Sequence, residues 1–265
     1  MKQYFRYLSL LLLTVLSTQA FALDDIDRFA KKCDFYTEVG FGADSLAYQK
    51  KQRNELRRAG VPIRMSFASC EAIKYIIKLK NGSSVSLESA YPTNGDPDVK
   101  GSRYGWESDS PSPQFWYFTY GGWEDAGWVL IDKIDGRKIE SGTDCSDHQI
   151  EMNANFLAVI CSGAYENTTP TLYVLDFKRA NEVWSNPVQI PMCNEGSKLV
   201  SQKFEFANYS TFILEGNCRL SEIRGNAIVR GKKWVKVKLE AQISEEGIHI
   251  KSNGLTEKVS WQSVK

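Results

Sequence analysis

Alternation of apolar and polar residues, the mark of a strand with one buried face, recurs along most of the chain, and helical spacing is confined to one stretch. "AIKYIIKLKNGSSVSLESA" holds two β-favouring runs around Asn81-Gly82. That dipeptide accepts positive φ at both central positions of a two-residue turn, so residues 73–89 are predicted to form a hairpin. "GWVLIDKIDGRKIE" repeats the arrangement, with Asp135-Gly136 between runs at 128–134 and 137–140. Further strands are predicted for "FWYFTY", "NFLAVIC", "TLYVLDF", "FEFANYSTFIL" and "WVKVKLEAQI", all rich in β-branched and aromatic residues. Only 45–58, "SLAYQKKQRNELRR", reads as helix: Ser45 can cap it, its residues are good helix formers, and Gly60 followed by Pro62 ends it.

Two of these segments match each other. "VLIDKIDGRKI" from 129 and "YVLDFKRANEV" from 173 superpose at an offset of 44, aligning Asp132 with Asp176 and Ile139 with Val183. The preceding strands, "FWYFTYGG" from 115 and "FLAVICSG" from 156, match at an offset of 41. Strand, strand, turn, strand at such a period resembles β-propeller blades, on generic positions and without Trp-Asp or kelch signatures. The expected fold is therefore mainly β: an antiparallel meander of hairpins with propeller-like character, one short N-terminal helix and disulfide ties. An irregular β-sandwich or an α+β arrangement is the alternative.

The N-terminus changes the picture from fold to compartment. "MKQYFR" is a short basic start, "YLSLLLLTVLS" an apolar run too short to span a membrane, and "AFA" offers small residues where a signal peptidase reads. Residues 1–22 are expected to be a signal peptide and 23–265 a single β-rich exported domain, periplasmic or otherwise secreted, with no transmembrane segment. Six cysteines follow the expected cut, and an even count in an oxidising compartment reads as three disulfides. Sequence leaves the connectivity open; pairing neighbours along the chain gives Cys33 with Cys70, Cys145 with Cys161, and Cys193 with Cys218. Charge adds little, since removing Lys2 and Arg6 from 33 basic residues leaves 31 against 32 acidic ones. That balance gives no reason to expect nucleic acid as a partner.

Candidate chemistry is sparse. No C-x-x-C, Walker or H-E-x-x-H sequence occurs, and no cofactor or metal is expected. There are two histidines, His148 and His249. Ser146, Asp147 and His148 are adjacent and so cannot form a relay on a strand, while Ser162 could meet His148 only if Cys145 and Cys161 brought their segments together. The G-x-S-x-G turn of hydrolases is absent around Ser162. "SGAYENTTPTLYVL" resembles the Ser-Gly-x-x-Tyr loop of small bacterial inhibitors of C-type lysozyme, with Tyr165 one residue early, and no function is carried over from it.

Aromatic crowding is the remaining feature. Trp106, Trp116, Trp123 and Trp128 lie in one short region, and rings alternating along "FWYFTY" must point to both faces. Some rings are therefore expected at the surface, where Trp beside acids makes a contact patch. The candidate binding residues are Trp106, Trp123, Glu124, Asp125 and Trp128. The expected function is non-enzymatic: an exported protein that binds or inhibits another exported or envelope protein, as an immunity protein neutralises a toxin or lytic enzyme. An exported hydrolase acting on glycan or lipid is the alternative.

Overall fold

The computed structural model describes residues 42–67, 72–90, 103–121, 126–141, 145, 147–162, 169–177, 183–194, 197–224, 227–252 and 254–262. They form a mainly β protein of four antiparallel sheets that do not close into a barrel, with one short helix among the described residues. The chain divides into two compact units. One contains the residues up to Trp106 and the turn Lys133–Gly136; the other contains Glu107–Asp132 and Arg137–Lys265.

In the first unit, helix α1 (Gly42–Ala59) is followed by strands β1 (Ile63–Ser66), β2 (Ala72–Lys78) and β3 (Ser84–Ala90), and by β4 (Arg103–Glu107), whose last residue belongs to the second unit. Strands β1, β2 and β3 pair in that order. Ile73, Tyr75, Ile77 and Leu79 point inward while Lys74, Ile76 and Lys78 do not, which is the predicted alternation. The helix is unusual in what it buries: Gln49, Gln52, Arg53 and Leu56 share its inner face. A buried amide needs a partner, and Gln52 Oε1 accepts the backbone N–H of Trp106 at 2.9 Å.

Both predicted hairpins form, with wider turns than expected. After Lys78 and before Ser84, Leu79 N–H donates to Ser83 O at 2.9 Å, and Asn81 Oδ1 accepts from Ser83 N–H at 2.9 Å. The Asn81 side chain thus builds a local turn of its own, which widens the connection. In the other hairpin the first strand stops at Asp132 rather than 134, leaving Lys133–Gly136 as a four-residue turn. Gly136 has φ of 79°, and a Cβ there would lie 2.6 Å from Leu79 and Val85 side-chain atoms, so both backbone and space require glycine.

The second unit holds three meanders. The first contains β5 (Phe115–Gly121), β6 (Ala126–Asp132) and β7 (Lys138–Glu140). The middle sheet comprises β8 (Asp147–Met152), β9 (Phe156–Ser162), β10 (Thr171–Asp176), β11 (Val183–Trp184) and β12 (Val188–Gln189), in the order β8, β9, β10, β11, with β12 also on β10. The last is a run of consecutive neighbours: β13 (Lys198–Phe206), β14 (Thr211–Arg224), β15 (Ala227–Ser244), β16 (Gly247–Ser252) and β17 (Leu255–Val259). "FEFANYSTFIL", expected as strand throughout, is broken between Phe206 and Thr211 because Asn208 Oδ1 accepts the N–H groups of Ser210 and Thr211 at 3.0 and 2.9 Å.

The middle sheet is buried on both faces. Phe156, Ala158 and Ile160 of β9 pack with Leu172 and Val174 against Phe212, Leu214 and Leu239 of the last sheet. Leu157 and Val159 face the other way, onto Phe115, Trp128, Leu130 and Ile139 of the first. A strand covered on both sides must be apolar throughout, which is what "FLAVI" is. The internal match seen in sequence has a structural counterpart: Phe115 pairs with Asp132 between β5 and β6, and Phe156 pairs with Asp176 between β9 and β10. Two of the three expected disulfides are formed, Cys145–Cys161 with Cα atoms 4.8 Å apart and Cys193–Cys218 with 5.8 Å. Cys33 and Cys70 lie outside the described residues.

Candidate functional site

The segment around Cys161 is a structural tie. His148 pairs across strands with Cys161, and Asp147 pairs with Ser162. Directly opposed residues share a face and neighbours alternate, so Ser162 and His148 point to opposite sides of the sheet and cannot exchange a proton. The histidine is engaged elsewhere. Its Nδ1 lies 3.1 Å from the Cys145 carbonyl, which can only accept, so Nδ1 carries the proton and Nε2 accepts from the Tyr117 hydroxyl. Burial, with Glu107 nearby, pushes the Tyr117 phenol up to about 12, so it remains a donor at any physiological pH. A Tyr–His–carbonyl chain of this kind holds β5 to β8 and engages both ring nitrogens of His148 away from Ser162.

The candidate binding residues are only partly placed. Trp123, Glu124 and Asp125 lie outside the described residues. Trp128 is 1% exposed and belongs to the core between the first and middle sheets of the second unit, and Trp106 is 8% exposed in the first unit. The expectation of surface rings is therefore corrected for these two: "GWVLID" is apolar at consecutive positions because β6 is buried on both faces.

Among the described residues, the exposed tryptophan is Trp234, at 50%. It stands on the outer face of the five-stranded sheet, where cross-strand register builds two rows: Lys198, Arg219 and Trp234, then Val200, Asn217 and Lys236. Val200 is also largely exposed, while Leu199, Cys218 and Val237 of the opposite parity enter the core. The Arg219 guanidinium lies 6.0 Å from the Trp234 ring, and its Nε donates to Gly231 O at 2.8 Å. Toward the other end of the face, charges pair among themselves. Lys203 meets Glu205 at 3.0 Å and Lys238 meets Glu215 at 2.8 Å, which holds the Glu215 carboxyl below its usual range. Around Trp234, Lys198 meets the Asp147 carboxylate at 3.7 Å, and among the described residues no ion pair involves Arg219 or Lys236. The result is an apolar ring on a rigid sheet with an excess of positive charge around it.

Sequence carried a signal for this face. In "WVKVKLE" Trp234 shares parity with Lys236, Lys238 and Glu240, and Val235, Val237 and Leu239 form the other side. A tryptophan on the lysine side of a strand is a surface tryptophan.

A concave feature lies at the strand ends between the first and middle sheets of the second unit. It is a cavity of about 430 Å³ whose lining includes Gln114, Phe115, Arg137, Met152, Asn153 and Phe177. Gln114 Nε2 donates to Asp132 Oδ2 at 2.6 Å, and the Arg137 guanidinium approaches the same oxygen at 3.9 Å. Among the described residues, no group of His, Cys, Asp and Glu side chains is arranged to hold a metal ion, and no helix is long and apolar enough to cross a membrane. No protein-family model matches the sequence, and no curated protein or solved structure matches the chain.

Proposed function

We propose that this chain is a non-enzymatic exported protein that binds, and by binding restrains, another exported or envelope protein, as an immunity or inhibitory protein does. The observation that supports the reading is the Trp234 face. A half-exposed tryptophan fixed on a five-stranded sheet, beside Val200 and within a basic surround of Lys198, Arg219 and Lys236, has the make-up of an interface centre. Such a surface suits a partner that presents acidic residues around an apolar recess. The two disulfides and the doubly covered middle sheet keep that face rigid, which lowers the ordering cost of association. The segregation of Ser162 from His148 removes the serine–histidine arrangement that a hydrolase reading would have used.

The test is capture in the native host. The protein carries a C-terminal tag, keeps its leader, and is compared with Trp234→Ala and with the double reversal Lys198→Glu/Arg219→Glu; each co-purified protein is identified, made separately and titrated. The expectation is one stoichiometric partner whose affinity falls roughly 30-fold or more with Trp234→Ala. The charge reversal should slow association and flatten its salt dependence. A partner held equally well by all three proteins would move the interface to another face.

A further inference from the structure

The β14–β15 hairpin outruns its neighbours. β13 pairs with β14 only as far as Lys198 opposite Arg219, and β16 pairs with β15 only as far as Ser252 opposite Leu239. Beyond those points each strand of the hairpin has an edge to close. On the β14 side it is closed: Asn194 Oδ1 accepts the Ser221 N–H at 3.2 Å and Asn194 Nδ2 donates to Ser221 O at 3.3 Å, the two bonds that a neighbouring strand would make. On the β15 side, among the described residues, β14 is the only strand paired with residues 234–238, and no loop backbone bonds to them.

The ladder fixes which backbone groups that edge offers. In an antiparallel ladder the N–H and C=O of one residue point to the same side, and those of the next residue to the other. Ile243 N–H donates to Ser210 O, next to β14, at 2.7 Å, while Lys238 C=O accepts from Ser252 Oγ, on β16, at 3.0 Å. Register with β14 is unbroken from Gln242 to Trp234, so the odd residues face β14, and the N–H and C=O groups of Trp234 and Lys236 are aimed off the open edge. Their side chains lie on the exposed face with Lys238, whereas Val237 is buried and Val235 packs against the core at its margin. The window is bounded at one end by Ser252. At the other it stops at a bulge, where Gly231, Lys232 and Lys233 stand opposite Leu220 alone.

We propose that the partner of the Trp234 face docks by strand addition: an extended segment pairs with the edge of β15 over 234–238 and carries acidic residues at alternate positions, with apolar residues between them. Strand addition here rests on the reading of the Trp234 face as an interface, and it names how the contact is made. Main-chain bonds to Trp234 and Lys236 supply the attachment, and side chains on the two faces supply the choice of segment. Acids of the added strand would meet Lys236, with the exposed Lys232 and Lys233 at the end of the window, and apolar residues of the other parity would extend the core past Val235. Lysines on an edge keep strands away, and here they admit a strand of opposite charge. A second copy of this chain does not fit. Antiparallel pairing of two such edges about Lys236 would set that lysine against its own copy.

The experiment is amide hydrogen exchange and chemical-shift titration of the isotope-labelled protein with acetyl-Glu-Val-Glu-Val-Glu-Val-Glu-amide, and with the peptide carrying lysine for each glutamate. In the free protein the Trp234 and Lys236 amides should exchange at least about 100-fold faster than those of Val235 and Val237. The acidic peptide at roughly 1 mM should shift resonances saturably and slow exchange at Trp234 and Lys236 by about tenfold, and the lysine peptide should do neither. Lys236→Pro removes an outward N–H, breaks no bond to β14 and should abolish binding; Lys236→Gln keeps that N–H and should weaken binding by about two- to fivefold. Protection in the wild-type protein decides the matter should Lys236→Pro fail to fold. Amides of Trp234 and Lys236 already protected in the free protein, no saturable shift, binding that leaves both amides unprotected, or equal binding of the lysine peptide would overturn strand addition. Those results leave the Trp234 face standing where Trp234→Ala still releases the captured partner. That reading falls by itself when Trp234→Ala holds the partner unchanged.

Discussion

Glu151 on β8 is half-buried, and burial together with Glu205 raises its carboxyl above the usual range. A group whose folded pKa is raised contributes stability that is fully present below its unfolded value and lost as pH rises through the folded one. The folded protein at neutral pH therefore carries a penalty, from burial of the charge first and from Glu205 second, that vanishes in acid. Glu151→Gln keeps the shape and removes the charge, so the variant is expected to be more stable than wild type at neutral pH by about 0.5 kcal/mol after solvent screening. The gain should disappear below the ordinary carboxylate range, where wild-type Glu151 is itself neutral. Thermal unfolding followed by circular dichroism at the two pH values measures both, and a gain that persists in acid would mean that packing rather than charge is responsible. The same contrast between charge and burial governs the tryptophans. Trp128 and Trp234 are one residue type in two environments, and only the parity of their neighbours distinguishes them.

At the scale of elements, what was legible in the sequence was local. The hairpins around Asn81-Gly82 and Asp135-Gly136, the strand at 156–162 and the helix ending before Gly60 follow from spacing and turn chemistry within a few residues. Turn width was not, because it depends on an Asn side chain choosing its own backbone partner. Nor was the Arg137 cavity, whose described residues come from the position before β7, the turn leading into β5, the end of β8 with the turn after it, and the position after β10, and meet only after the sheets pack. Between these extremes lie the bulges of the last sheet. The β13–β14 register shifts between Ser201 and Lys203, opposite buried Gly216, where an added Cβ would stand 2.6 Å from Val200 O and 2.9 Å from Ser201 Cα. Both obstacles are backbone, so the strand itself would have to move. Gly216→Ala is expected to destabilise by about 1–3 kcal/mol, read from urea unfolding, with the loss traceable to amides of β13 in hydrogen exchange. An unchanged midpoint would show that the bulge yields at no cost. Because the bulge lies just beyond Val200, the Trp234 face depends on it for its shape.

On the scale of the whole second unit, the decisive feature is that its middle sheet serves two cores at once. The apolar side chains on alternate faces of β9 and β10 join one cluster with Phe115, Trp128 and Leu130 and another with Phe212, Leu214 and Leu239. Leu157 belongs to the first and Leu214 to the second, and each is fully buried. Truncating either to alanine removes transfer free energy and leaves a cavity, a cost of about 2–5 kcal/mol. If the two cores were independent folding units, each variant would split the unfolding curve into two steps. A shared sheet argues otherwise, since neither core can melt without exposing one face of β9. Each single variant is therefore expected to shift one cooperative transition of this unit as a whole. Because the two side chains share no cluster, the Leu157→Ala/Leu214→Ala losses should add to within about 0.5 kcal/mol. Urea unfolding followed by Trp fluorescence and far-ultraviolet circular dichroism tests the cooperativity, and coincident curves for all three variants are the expected result. A second transition in the double variant would mean that the middle sheet can part from one neighbour while keeping the other.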